Sequence, residues 1–228
     1  MIIGIDMGHT LSGAGTGASG FVSETQKNRE VGNRLIAMLR EKGHTVIHCT
    51  VDKSSNDLAD RVYKANAQRL DLFVSLHLNA FKSTTSEMGV ETHIYNGNYS
   101  GKEANRAKAQ AIQSALVQDV KWIDRKVKES NFYVLRETVA PAVLVELGFC
   151  DSQGDMNKWN TEKIAAALFR GITGTTYSAP ASAPAPSGNG NTYFRVCVGS
   201  FNSRENAVAQ QEKLKKAGFD SFLITFEK

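Results

Sequence analysis

The stretch Asp71-Leu72-Phe73-Val74-Ser75-Leu76 constrains the fold more than any other part of this 228-residue chain. It is a near-continuous apolar run, as expected for a strand buried on both faces. Strand-like and helical segments alternate around it. Ile2 to Met7 is a short apolar strand. Ser23-Glu24-Thr25-Gln26 has capping-box spacing, and Val31, Leu35, Met38 and Leu39 then recur at helical intervals up to Gly43, a natural stop. A strand is expected over Thr45 to Thr50, then a helix from about Asn56 to Arg69 with Leu58, Val62 and Ala65 on one face. Gly89 to Tyr95 alternates like a half-exposed strand, and a long Ala-rich helix follows from about Lys102 to Asp119. Further strands are expected around Phe132 to Leu135 and Ala142 to Leu147, and a final helix from Thr161 to Ile172. This order predicts an α/β domain: a mostly parallel twisted sheet flanked by helices.

Three of the four prolines lie between Pro180 and Pro186, in SAPASAPAPSGNGN, a stretch without charge or large apolar side chains. Such a composition cannot bury a core and reads as an extended linker. The expected organisation is a body over 1–174, a linker over 175–191 and a small unit over 192–228. In that last unit a strand carrying Phe194, Val196 and Val198, a helix over Ser203 to Ala217 and a strand over Ser221 to Phe226 make one β-α-β.

Composition excludes more than it selects. Apolar residues at 41% and charged residues at 22% describe an ordinary globular chain. A net charge of +4 favours weak attraction to an anionic polymer. No block of like charge and no aromatic-basic stripe is present, so nucleic acid is not an expected partner. No apolar run approaches the ~20 residues of a membrane span. The N-terminal MIIGIDMGH reads as a strand and not as a signal peptide, so the protein is expected to wait in the cytoplasm for release. Cys49, Cys150 and Cys197 have no CxxC spacing and read as small buried hydrophobes.

In open α/β sheets ligands bind beyond the carboxyl ends of strands. Three strands here end in reactive residues: His9, His77 and Glu146. His9 opens the glycine-rich loop HTLSGAGTGASG, whose small side chains cannot cover the imidazole. Glu24 sits in the first turn of the capped helix that follows, where the helix dipole favours a carboxylate. Two neutral imidazoles and a carboxylate are a common donor set for catalytic zinc, with a position left for water. Glu146, inside the apolar VLVELGF, is the candidate base, because a carboxylate there is costly unless paired, neutralised or functional. Taken singly, His9 reads as a loop histidine, His77 as a satisfied core residue, Glu24 as a helix-terminal charge and Glu146 as a partner for Arg136. Asn79 is a candidate to orient the metal site or substrate, and Arg136 to hold a peptide carboxylate.

The strand-Gly-His start, the Glu opening the next helix, DLFVSLHLNA and PAVLVELGF together resemble the zinc-dependent N-acetylmuramoyl-L-alanine amidases of phage endolysins and bacterial autolysins, over roughly 1–174. The resemblance implies Zn2+ held by His9, Glu24 and His77, with Glu30 as the alternative carboxylate, and Glu146 as the catalytic acid/base. It implies bacterial peptidoglycan as substrate, cut between N-acetylmuramic acid and L-alanine. A phage or prophage endolysin is the expected setting, and a sporulation lytic enzyme would look the same. The rival chemistries are a glycosidase with paired carboxylates, a zinc peptidase acting on the stem peptide, and a non-catalytic wall-binding protein. FRVCVGSF and KAGFDS are similar to half of a SPOR-type wall-binding domain. One unit is too small to fold alone, so a homodimer through it is expected, a property that sedimentation of the isolated module reads.

Overall fold

A computed structural model describes residues 1–13, 15–179, 198–216, 218 and 221–225. The chain divides into two compact units, Met1–Ser178 and Ala179–Lys228. The first contains β1 (Ile2–Met7), α1 (Glu24–Glu41), β2 (Thr45–His48), α2 (Asp57–Asn66), β3 (Leu72–Asn79), β4 (Val90–Tyr95), α3 (Lys102–Val120), β5 (Asp124–Ser130), α4 (Tyr133–Arg136), β6 (Ala142–Phe149), α5 (Gln153–Asn157) and α6 (Thr161–Thr173). The strands form one sheet in the order β2-β1-β3-β6-β4-β5. All neighbours are parallel except β4 and β6. This is the α/β fold expected, with β4 and β5 running against the others.

Alternation along the strands separates two faces. Ile3, Ile5, Leu72, Val74, Leu76, Val143 and Val145 turn to one side and join buried residues of α1, α3 and α6 in the main core. On the other side Phe73, Ala142 and Leu144 pack with Val62 and Ala65 of α2 and with Val134 and Leu135 of α4. That second core covers only part of its face. Elsewhere on this face the side chains are polar: Asp6 of β1, Ser75 and His77 of β3, Glu146 of β6, and Glu91 and His93 of β4.

Two expectations, one of a strand and one of a helix face, change. Phe132 to Leu135 is not a strand: Phe132 caps the single turn α4 and the neighbouring strand is β5. Val134 and Leu135 are both buried, and consecutive residues of a strand cannot face one core together. In α2, Leu58 is 47% exposed while Arg61 is 1% exposed, so the buried side of that helix carries a charge. Glu146 lies within β6 and not at its end. Cys49 and Cys150 are buried free thiols, as expected.

α3 stops at Lys121, which has φ +68°, a left-handed conformation that a side chain resists and glycine adopts freely. Lys121→Gly is expected to stabilise the protein by about 1 kcal/mol, raising Tm by about 2–4 °C. An unchanged melting curve would show that this cap stores no strain.

In the second unit, α7 (Arg204–Lys216) stands where a helix was expected. Residues 221–225 adopt no strand, and the expected strand over Phe194–Val198 lies outside the described residues except for Val198. No described helix is long and apolar enough to cross a membrane.

Candidate active site

His9, Glu24 and His77 meet at the carboxyl ends of β1 and β3. They are the one group of three or more His, Cys, Asp or Glu residues among the described residues that could share a metal ion, with ligand atoms within 4.8 Å of one another. Glu24 is placed by the start of α1: Ser23 caps the helix by accepting from the Gln26 amide. Its Oε2 accepts from the Ala18 amide at 2.9 Å, and its Oε1 from the Leu78 amide at 3.2 Å. Oε1 also lies 3.0 Å from both His9 Nε2 and His77 Nδ1. Burial would raise the Glu24 pKa, but the two imidazoles win and hold it well below the usual carboxylate range. Burial alone would lower His77; the Glu24 hydrogen bond and the nearby Glu146 charge reverse this and raise it. Glu30 points elsewhere, pairing with Lys27 at 2.7 Å.

The donor set fits a metal by its own chemistry. His9 Nδ1 lies 3.0 Å from the Gly15 carbonyl, an acceptor, which leaves Nε2 as the nitrogen turned to the Glu24 carboxylate, at 3.0 Å. A ring nitrogen and a carboxylate oxygen this close are held together by a proton or a metal cation between them. A borderline cation such as Zn2+ suits two imidazoles and one carboxylate.

Two arginines that sequence reading passed over hold the β1 turn. His9 has φ +66°, a strained conformation for a non-glycine residue. Arg29 donates to the Gly8 and His9 carbonyls at 2.6 Å each and to Asp52 at 2.8 Å. Arg61 donates to the carbonyls of Met7 at 3.0 Å, His9 at 2.7 Å and Val51 at 2.9 Å, and pairs with buried Asp6. Ser75 donates to the other Asp6 oxygen at 2.7 Å. The sequence does hold a signal for Arg61, which lies three residues after Leu58 and four before Ala65, on the helix stripe expected to be apolar. Gly8 closes the packing: a Cβ there would stand 2.2 Å from the His77 ring.

Glu146 is directly opposite His77 in the β3–β6 register. Its Oε2 is buried and has no hydrogen-bond partner. Burial pushes its pKa upward, and the nearby His77 offsets this only in part. Leaving such a group unsatisfied costs about 1–3 kcal/mol, which a merely structural residue has no reason to impose. Arg136 does not pair with Glu146; it binds Glu137 and Asn131 at 2.7 Å each. Asn79 lies beside the site, donating to Glu91 at 3.1 Å. His93 is buried and sits 3.1 Å from Glu91.

A family model described as N-acetylmuramoyl-L-alanine amidase matches residues 3–174, and a SPOR domain model matches residues 160–225. The sporulation-specific N-acetylmuramoyl-L-alanine amidase of Bacillus subtilis is 30% identical over 222 residues, covering 96% of this chain and 83% of that protein. An N-acetylmuramoyl-L-alanine amidase from Clostridium difficile 630 superposes with a TM-score of 0.66 at 31% identity, over 75% of this chain and 94% of that one. The catalytic domain of the CD27L endolysin targeting Clostridia difficile gives 0.67 at 28% identity, over 78% and 99%.

Proposed function

The chain belongs to the N-acetylmuramoyl-L-alanine amidase family, and from that premise we propose that His9, Glu24 and His77 hold one zinc ion while Glu146 moves the proton of the reaction. The protein is a peptidoglycan hydrolase that acts on the cell wall. The bond cut is the amide between the lactyl group of N-acetylmuramic acid and L-alanine. One observation carries the assignment: His9 Nε2 and His77 Nδ1 both lie 3.0 Å from the same Glu24 carboxylate oxygen.

When bound, zinc supplies Lewis acidity, polarising the scissile carbonyl and making water more acidic. The remaining work falls to the chain. Glu146 Oε2, unpartnered and desolvated, takes the proton of the attacking water and returns it to the departing amine of L-alanine. Arg29 and Arg61 keep the His9 turn in place through its carbonyls, so the imidazole does not reorganise during turnover.

The C-terminal unit binds the wall in this reading, which the SPOR match supports. A phage setting, with release from the cytoplasm before wall attack, is supported by the likeness to an endolysin catalytic domain. The second setting is sporulation, supported by a relative whose similarity spans 96% of this chain.

Metal analysis of the purified protein is expected to find about one zinc per chain. Chelation should abolish wall lysis, and added zinc should restore it. Mass spectrometry of digested peptidoglycan should yield free peptides beginning at L-alanine beside intact glycan. Shortened peptides still attached to glycan would replace the amidase reading by a peptidase.

A further inference from the structure

A line of charged side chains crosses the less covered face of the sheet. Register places His77 of β3 opposite Glu146 of β6, and Glu146 opposite Glu91 of β4. Residues opposite one another in neighbouring strands share a face. The line continues onto β5 because of an irregularity. Val90 pairs with Asp124 but Thr92 pairs with Val127, so β5 has an extra residue there, and Lys126 takes φ +74°. In a regular strand Arg125 and Lys128, three positions apart, would point to opposite faces. The bulge resets the alternation, and both reach Glu91 Oε2, Arg125 Nε at 2.6 Å and Lys128 Nζ at 2.5 Å.

Glu91 is saturated. Its other oxygen takes Asn79 Nδ2 and His93 Nε2, each at 3.1 Å. One carboxylate thus meets two permanent cations, which leaves one positive charge in excess. The carboxylate lies inside, its side chain 6% exposed, while Arg125 and Lys128 are 31% and 39% exposed. The Arg125 guanidinium lies 4.9 Å from the Phe149 ring and 3.4 Å from the Met88 carbonyl. Held in that way, with its Nε donating to Glu91 and its Nη1 to Met88, it offers Nη2 to an incoming anion.

We infer that Arg125 and Lys128 receive the free α-carboxylate of the second residue of the stem peptide, the glutamate joined to L-alanine. This rests on the amidase reading of the adjacent site. The glycan of that substrate is uncharged, so an excess positive charge is complementary to the peptide. Arg125 and Lys128 stand on the next strand, but their side-chain nitrogens reach back to Glu91, whose strand is one step, roughly 5 Å, from that of Glu146. A peptide advances about 3.5 Å per residue, which brings the first carboxylate beyond the cut amide within reach of the cationic pair. Arg125 and Lys128 are specificity residues in this account, and Glu91 positions them.

Two soluble substrates test it with the zinc-loaded full chain: N-acetylmuramoyl-L-alanyl-D-glutamate with its γ-carboxyl amidated, so that the α-carboxylate is the one free anion of the peptide, and the same compound with the α-carboxylate also converted to carboxamide. The wild type is expected to favour the carboxylate about tenfold in kcat/KM. Arg125→Met and Lys128→Met should each shrink that ratio, the double variant should bring it near one, and Arg125→Lys should retain part of it. Equal rates on both substrates by the wild type overturn the inference and leave the amidase reading intact. Cleavage of neither sinks the reading beneath it. A variant that slows both substrates in parallel at an unchanged ratio assigns its side chain a structural role and overturns the proposal for that residue. If Arg125→Met does not fold, the wild-type ratio and the more exposed Lys128→Met decide.

Discussion

Glu146→Gln is expected to lower kcat by about 10²–10⁴-fold while one zinc per chain stays bound. The substitution keeps the shape of the side chain and removes its capacity to accept a proton. Because Glu146 is not among the three converging donors, metal content is the control that separates lost proton transfer from a lost site. Turnover within tenfold of the wild type would free Glu146 of its assigned role. The same variant should be more stable than the parent in the zinc-free protein at neutral pH. Burial raises the Glu146 pKa, so ionising it in the folded state costs more than in the unfolded chain. That penalty is absent below the ordinary glutamate range, near pH ~4, and grows as pH rises towards the folded value. The advantage of glutamine should therefore be present at pH 7 and vanish in acid. Denaturant melts at the two pH values read it directly.

Arg61→Met is the second substitution with a large expected effect, in stability. Asp6 would keep only Ser75 as a side-chain partner while remaining buried. Removing one member of a buried ion pair costs about 3–5 kcal/mol, which corresponds to roughly 6–20 °C in Tm for a chain of this size. Zinc affinity should fall about 10–100-fold as well, because Arg61 also grips the His9 carbonyl. Pairing the change with Asp6→Asn removes the stranded charge and should recover part of the stability but little of the zinc affinity. Recovery of both together would mean that Arg61 acts through folding alone and does not hold the His9 turn.

What was legible in the sequence follows from where each residue sits relative to an apolar run. His77 and Glu146 interrupt such runs, His9 follows one and Glu24 begins a capped helix. All four are conspicuous because their surroundings are simple. The β5 strand was not legible. DRKVKES has one apolar residue and a bulge in its middle, so no period of two survives. The apolar cluster Phe132–Leu135 took its place in the reading, since a short run without periodicity does not distinguish a strand from a helical turn. Arg136, directly after that cluster, is in the sequence a bidentate donor for a carboxylate, and the fold spends it on Glu137 and Asn131. The arginines that touch the site are harder still. Arg29 and Arg61 lie on helices whose exposed faces also carry charge, and only the folded chain brings the Met7, Gly8 and His9 carbonyls against them.

β5 is also the outermost strand on its side of the sheet. An unpaired margin of backbone invites another chain to add to it, and proteins guard such margins with lysines and with breaks in the pleat. Arg125, Lys126 and Lys128, together with the bulge among them, supply both guards. In the account given above, the same few residues thus carry two duties, shielding this margin and meeting an anionic peptide. A change that straightened this strand or made it greasy would be penalised through aggregation even where substrate preference was not at stake.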